Sequence, residues 1–482
     1  MNDLGWLVVT LHVLAASAAS WHALLYKRDS RAALGWISVC VLFPIAGPLL
    51  YCLLGVNRVE NRARMEGDKK VRRRFVDFER GAGLMPPEKR DGGVVASGQF
   101  GLQQATLAIT GQRLSTGNQV QILYNGEGAY PPMLAAIAQA EYSICLTTYI
   151  FETNETGRQF IKALGDAAAR GVDVRVMIDG MGEKYSFPRA VRLLKRVGVR
   201  TCRYNPPRLI PPTFSVNLRN HRKILVVDDS LGFTGGINIG DRHLTDNPEV
   251  KEPVADIHFS FKGPFVAQLV AIFNDSWAET TGRTLPKVPA DSPAKRDVEG
   301  VASCRAIVDG PDENLDRLAL VLQAAVTSAQ RSVLIMTPYF LPSPGLIGCL
   351  LGAALRGVKV QIVLPGENNL PYVHWATRNM LWELLFYHVE VFYQPPPFAH
   401  SKLFMVDEDY VLIGSANIDP RSLRLNYELG VEIYDQKLNE QLCNHFRQVI
   451  DVSTPVTLQE VDGRSLPART RDAFCWLFSP YL

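Results

Sequence analysis

The chain has 482 residues, of which 47% are hydrophobic and 21% charged. That length supports two or three domains with a sizeable buried core, and the composition excludes a disordered or fibrous polymer. Lys and Arg number 51 against 48 Asp and Glu, a net charge of +3, which by itself gives no argument for nucleic acid as a partner. Mean hydropathy near zero is high for a soluble enzyme and reads as the average of a membrane part and a soluble part. The eight cysteines are scattered, with no C-x-x-C pair. They read as free thiols of a reducing compartment, neither a disulfide frame nor a zinc site.

From Leu4 to Tyr26 the sequence carries no formal charge. As a helix at about 1.5 Å per residue this run spans roughly 34 Å, enough to cross a bilayer. A second uncharged run extends from Ala32 to Val56, and only Lys27-Arg28-Asp29-Ser30-Arg31 separates the two. Residues 1–56 are therefore predicted to form a transmembrane hairpin of two helices. Pro44 and Gly47-Pro48 should kink the second helix or make it dip in and return. A cleaved signal peptide fits poorly, because Asp3 stands where a basic n-region is required. From Asn57 to Arg74 there are eight basic and three acidic residues. The positive-inside rule then places the main body in the cytoplasm, and the basic stretch suits an anionic lipid bilayer.

Residues 57–117 read as a basic juxtamembrane connector, with Pro86-Pro87 and Gly92-Gly93. Beyond it strands and helices alternate, and they do so twice. An apolar strand over Ser143–Phe151, a helical run to Arg170 and a strand over Gly171–Asp179 match Ser332–Phe340, a helix to Arg356 and Gly357–Pro365. Two such βαβ copies imply two α/β domains with mostly parallel sheets, here 118–285 and 303–482. The joint between them is 286–302, where Pro286, Pro289 and Pro293 fall.

Each half carries one copy of a motif. The first reads His221-Arg-Lys223-Ile-Leu-Val-Val-Asp228, followed by Gly235-Gly236-Ile-Asn238; the second reads His400-Ser-Lys402-Leu-Phe-Met-Val-Asp407, followed by Gly414-Ser415-Ala-Asn417. Every matched pair is offset by 179 positions, as are Arg242 and Arg421. On a strand, His and Lys at i and i+2 point to one face, and the apolar run then carries the strand through the core. Lys and Asn supply a point charge and an amide donor for phosphate oxygens. The small residues Gly236 and Ser415 would let an anion approach backbone N–H groups. A lone His or Lys in a strand is usually structural, but that reading does not account for doubled His, Lys, Asp and Asn at one offset. The remaining histidines belong to no doubled pattern and read as structural.

This doubled H-x-K-x4-D pattern resembles the signature of the phospholipase D superfamily. Further features are similar to its bacterial cardiolipin synthases: Trp36 with Pro44…Gly47-Pro48…Tyr51…Leu54-Gly55, Asn220-His221-Arg222-Lys223, Asn417-Ile-Asp-Pro-Arg421-Ser422…Asn426-Tyr-Glu428, and Ser479-Pro480-Tyr481-Leu482 at the end. The resemblance covers essentially the whole chain. It implies two duplicated phospholipase D-type α/β domains paired about a pseudo-twofold axis and sharing one active site. In that site one histidine forms a phosphohistidine and the other is acid and base, with His221 expected as nucleophile and His400 as acid/base. Asp228 and Asp407 would fix the histidines, and Lys223, Lys402, Asn238, Asn417, Gly236 and Ser415 would hold phosphate. No metal or other cofactor is expected. The implied reaction joins two phosphatidylglycerol molecules into cardiolipin and releases glycerol, in a multi-pass protein of the bacterial inner membrane. A membrane-bound phospholipase D hydrolase remains the alternative. A nuclease is disfavoured, since no broad basic stripe appears outside the juxtamembrane segment. Oligomeric state is not legible.

Overall fold

The computed structural model describes residues 3–27, 30–55, 97–209, 212–213, 217–283 and 300–481. The basic stretch after Val56, most of the proline-rich joint, the Ile210-Pro211 and Phe214 positions and Leu482 lie outside these residues.

The N-terminal unit, Met1–Arg73, begins with a helix over Asp3–Tyr26. It is long and apolar enough to cross a membrane, the only such helix among the described residues. The second run does not form one matching helix. It is helical over Ser30–Leu42, about 20 Å at 1.5 Å per residue. It then breaks at Pro44 and resumes over Ala46–Leu50. A Cβ on Gly47 would stand 2.2 Å from the Val39 carbonyl oxygen, so only glycine lets the chain fold back there. The expected hairpin, with a second run that kinks or dips in and returns, is thus one long helix and a broken run packed on it through Ala19, Ala23, Cys40 and Tyr51.

In the body, Arg74–Leu482, fifteen strands form a single sheet. In chain order they are β1 (Ser115–Tyr124), β2 (Ser143–Thr148), β3 (Asp173–Asp179), β4 (Arg200–Tyr204), β5 (Ile224–Val227), β6 (Leu231–Gly235), β7 (Ile257–Lys262), β8 (Ala302–Asp309), β9 (Ser332–Met336), β10 (Lys359–Pro365), β11 (Glu390–Gln394), β12 (Leu403–Val406), β13 (Tyr410–Gly414), β14 (Glu428–Tyr434) and β15 (Thr454–Val456). The spatial order is β15-β11-β10-β9-β12-β13-β14-β8-β1-β7-β6-β5-β2-β3-β4. Apart from β15, the order reads the same from either end once seven is added to each strand of the first half. This is the duplication expressed as topology, with the antiparallel β8–β1 pair at its centre. The expected mostly parallel sheets are parallel only among β2-β3-β4 and β9-β10-β11. The motif strands β5 and β12 lie antiparallel to β2 and β9 and turn back through hairpins into β6 and β13.

Local chemistry explains the βαβ units. The helix Glu155–Ala169 after β2 is capped by the Asn154 side chain, and its counterpart Pro344–Leu355 by Ser343. Both end at a left-handed glycine, Gly171 (φ 94) and Gly357 (φ 87), which is the physical content of the repeated Arg-Gly-Val. The motif strands are apolar at every position because both faces are covered. Ile224 and Val226 enter a core shared by the two halves, whereas Leu225 and Val227 enter the first half's own core. Leu403 and Met405 join the shared core, and Phe404 and Val406 the second half's. Helices Val266–Thr281 and Gln436–Asp451, with neighbouring strands such as β7 and β14, also line the shared core. The last part of the expected connector is also structured. It forms a helix over Ser97–Thr110 whose Leu102 is buried in the second half's core.

Candidate active site

Both motif histidines line one cleft of about 330 Å³, together with Asn238, Asn417, Arg242 and Arg421. Each histidine arrives just before its strand and docks by backbone on the other half. His221 N–H donates to Tyr427 O at 2.9 Å, and His400 N–H donates to Ala255 O at 2.7 Å. The residue after each of those carbonyls is acidic and fully buried: Glu428 and Asp256. His221 Nδ1 lies 3.0 Å from Glu428 Oε1 and 3.1 Å from Ser415 O. His400 Nδ1 lies 2.7 Å from Asp256 Oδ2. Carboxylate and carbonyl oxygens only accept, so each Nδ1 carries the hydrogen, and each neutral ring keeps its lone pair on Nε2.

The lysines fold back beside their histidines. Lys223 Nζ donates to His221 O at 2.7 Å, and Lys402 Nζ lies beside the His400 ring, 2.9 Å from Nδ1 and 3.2 Å from Nε2. Burial drives Lys223 down to about 7 and Lys402 to about 8, with Glu428 and Asp256 working against it. Burial also holds His221 below its usual value against the pull of Glu428. His400 is pushed well below by burial and by the Lys402 and Lys223 ammoniums. Burial raises Asp256. Burial pushes Glu428 up as well, but His221, Lys223 and the Ser415 hydroxyl outweigh it and hold that carboxyl low. Such opposed shifts in one cleft are the mark of groups arranged to move protons.

Three expectations are corrected. Asp228 and Asp407 do not touch the histidines. They lie at the far ends of β5 and β12, seven residues from His221 and His400, roughly 23 Å along an extended strand. Both occupy left-handed hairpin positions, φ 51 and 54, which Asp tolerates. Asp228 accepts from the backbone N–H of Glu141, Tyr142 and Ser143. Asp407 accepts from Gln330, Arg331 and Ser332. The motif aspartates therefore tie the hairpin turn to the start of the neighbouring strand. Replacing Asp228 with Ala should lower stability by about 1–2 kcal/mol, since three amides lose an ionised acceptor that water partly replaces. Thermal unfolding checks this, with specific activity of the folded protein retained.

Gly236 and Ser415, second, do not offer free backbone N–H groups: those donate to Ile257 O and Leu429 O. A Cβ on Gly236 would stand 2.2 Å from Asp256 Oδ1, and Ser415 Oγ hydrogen-bonds Glu428. Smallness at these positions makes room for the carboxylates behind the histidines. Third, the two asparagines are not equivalent. Asn238 Oδ1 accepts from Ile150 N–H at 3.1 Å, leaving its NH2 as the group available to the cleft. Asn417 hydrogen-bonds Asp419, a carboxyl raised to about 6 by burial.

Sequence reasoning missed Asp256 outright and marked Glu428 only as part of a resemblance. They stand 18 and 11 residues after Asn238 and Asn417, so the common offset does not reveal them. The available signal was an acid opening the apolar strand that follows each motif. His243, read as structural, also lines the cleft, where its Nε2 accepts from Asn238 N–H at 3.3 Å.

The family model described as cardiolipin synthase, PLD-like domain, matches residues 133–277 and 322–450, more than half of the chain and one segment per repeat. The chain belongs to this family. A second description, Phospholipase D-nuclease N-terminal, matches residues 13–55. Curated relatives of the family include the major cardiolipin synthase of Bacillus subtilis, 30% identical over 95% of this chain and 95% of that one. The cardiolipin synthase of Geobacillus kaustophilus is 30% identical over 99% and 95%, and that of Staphylococcus aureus 30% identical over 95% and 92%. A solved phosphatidylserine synthase from Haemophilus influenzae aligns with 79% of this chain and 100% of its own at TM-score 0.58. At 15% identity that likeness is one of fold. The chain is thus a phospholipid phosphatidyltransferase associated with membranes.

Proposed function

We propose that this chain is a cardiolipin synthase that transfers a phosphatidyl group between two phosphatidylglycerol molecules through a phosphohistidine at His221. The observation that carries the reading is the single cleft in which both motif histidines stand, each with Nδ1 on a carboxylate of the opposite half. His221 Nε2 attacks phosphorus of the first lipid; the P–N bond forms and the P–O bond to glycerol breaks. The anionic phosphodiester offsets the burial and the lysine charges that hold His400 neutral in the free protein, so His400 takes up a proton from solvent. Held as imidazolium on Asp256, it protonates the departing glycerol oxygen and returns to neutral. The glycerol hydroxyl of the second lipid then gives its proton to His400 and attacks phosphorus, and the P–N bond breaks. One phosphodiester replaces another, so no nucleotide is required.

Lys223 and Lys402 place positive charge on the nonbridging oxygens, assisted by Asn238 NH2 and Arg242. Asn417, expected to do the same, acts here by holding Asp419. Gly236 and Ser415 make room for and bond the carboxylates. Positive charge supplied by side chains serves where a divalent cation otherwise would. The aromatic wall of Tyr149, Tyr339 and Phe398 keeps water from competing with the glycerol hydroxyl. The helix Asp3–Tyr26 crosses the bacterial inner membrane with the broken run beside it, and the body works on the cytoplasmic side.

The test is purified full-length protein with phosphatidylglycerol, assayed in EDTA. Cardiolipin and glycerol in equal amounts are expected. Phosphatidic acid as the main product would make the chain a hydrolase, and activity lost in EDTA and restored by Mg2+ would sink the lysine-based account. The pH profile follows from the lysines. With free-enzyme values near 7 and 8, rising pH removes the cations that bind phosphate. Thus kcat/KM should fall from about pH 7 upward and more steeply above about pH 8, while kcat, with the anion holding both lysines protonated, should fall later. A kcat/KM flat to pH 10 contradicts the assignment.

A further inference from the structure

The rim of the cleft carries a segment that the chemistry above does not use. After β3 the chain runs Lys184-Tyr185-Ser186-Phe187-Pro188-Arg189. Phe187 is 89% exposed and Tyr185 57%, and Lys184 and Arg189 on either side are exposed as well. This segment is fixed, not loose. Thr153 N–H donates to Ser186 Oγ at 3.0 Å, and Thr153 Oγ1 donates to Pro188 O at 2.9 Å. Buried Glu183, just before it, is paired with Arg203. The Arg242 guanidinium stands 5.8 Å from the centre of the Tyr185 ring. At Gly182 a Cβ would meet the Tyr149 carbonyl oxygen at 1.7 Å, so the segment is pressed against the cleft wall with no room to withdraw. Tyr185 lines the cleft, and so does Tyr372 of the second half, 39% exposed.

We infer that Lys184–Arg189 is a bilayer-docking finger: Phe187 inserts at the headgroup boundary of an anionic membrane while Lys184 and Arg189 contact lipid phosphates, setting the cleft mouth at headgroup level. The inference rests on the lipid reading of the cleft. A nearly fully exposed phenylalanine on a braced segment lacks the protein packing that would account for it. An aromatic side chain between two basic ones matches the interface, where rings sit among headgroups and cations meet anionic phosphate. Tyr185 belongs both to the finger and to the cleft wall, so a lipid leaving the bilayer beside Phe187 passes directly to His221 and His400. A second copy of the chain would present the same basic pair and be repelled.

The test uses full-length protein reconstituted in phosphatidylcholine vesicles containing labelled phosphatidylglycerol, with benzoylphenylalanine in place of Phe187 or, as control, of Val452, an apolar residue 65% exposed that does not line the cleft. On illumination, lipid label should attach at position 187 and at least tenfold less at 452. A protein–protein adduct at 187, or equal lipid label at both positions, overturns the inference. This readout needs no turnover, so it stands apart from the proposed reaction. In the second arm, Phe187→Ser with Lys184→Ser and Arg189→Ser should lower cardiolipin formation on vesicles at least tenfold and leave the rate on monomeric short-chain phosphatidylglycerol within twofold. Equal rates on vesicles overturn the inference as well.

Discussion

His221→Ala and His400→Ala should each lower cardiolipin formation by about 10⁴-fold or more, and the double substitution should be no worse than either alone. Residues that act as one unit lose nearly all function when any member is removed, so the effects do not add. The structural ground is the shared cleft. His221 is held by Glu428 of the second half, and His400 by Asp256 of the first. If each half held a complete site, each single variant would keep about half the activity and only the double would be dead. The rates of the three variants in one detergent preparation decide between these arrangements.

The second large effect separates two kinds of acid that sequence alone would confuse. Asp256→Asn should lower kcat by about 10³-fold or more with little change in KM, and Glu428→Gln should lower it less, because Ser415 O still accepts from His221 Nδ1. An amide can turn its NH2 toward Nδ1, which then must accept, and the ring hydrogen moves to Nε2. A histidine in that tautomer cannot attack phosphorus or take a proton from a hydroxyl, and loss of tautomer control at a comparable carboxylate costs about 10⁴-fold. For Asp228→Asn and Asp407→Asn, by contrast, kcat should stay within a few fold, because those side chains serve only backbone amides far from the cleft. A tenfold or greater loss of kcat in Asp228→Asn, with stability unchanged, would return the motif aspartate to the chemistry.

Much of this architecture was legible because duplication leaves a period. The two βαβ copies identified the repeat, the common offset of 179 residues identified the motif strands and the pairing of histidines, and the fully apolar Ile224–Val227 and Leu403–Val406 announced strands buried on both faces. Two things were not legible, for physical reasons. One is the continuity of the sheet: the β8–β1 junction joins Ala302–Asp309 to Ser115–Tyr124, a pairing of segments far apart in sequence with no local signal. The other is which acid serves which histidine. The family resemblance implies that Asp228 serves His221, but an extended strand separates them. The acid that does serve it comes from the other repeat, 207 residues away. The broken second apolar run shows the same limit at smaller scale. Pro44 and Gly47-Pro48 signalled an interruption, but only the contact of Gly47 with the Val39 carbonyl shows that the chain doubles back.

The most direct test of the central claim, one site working through one phosphohistidine, is to trap the intermediate. Full-length protein is mixed with phosphatidylglycerol labelled in the phosphatidyl group, quenched by rapid denaturation and digested, and the labelled peptides are sequenced by mass spectrometry. The expected result is at most one phosphatidyl group per chain, on His221, and none in His221→Ala. Label on both His221 and His400, or label that persists in His221→Ala, would contradict the account.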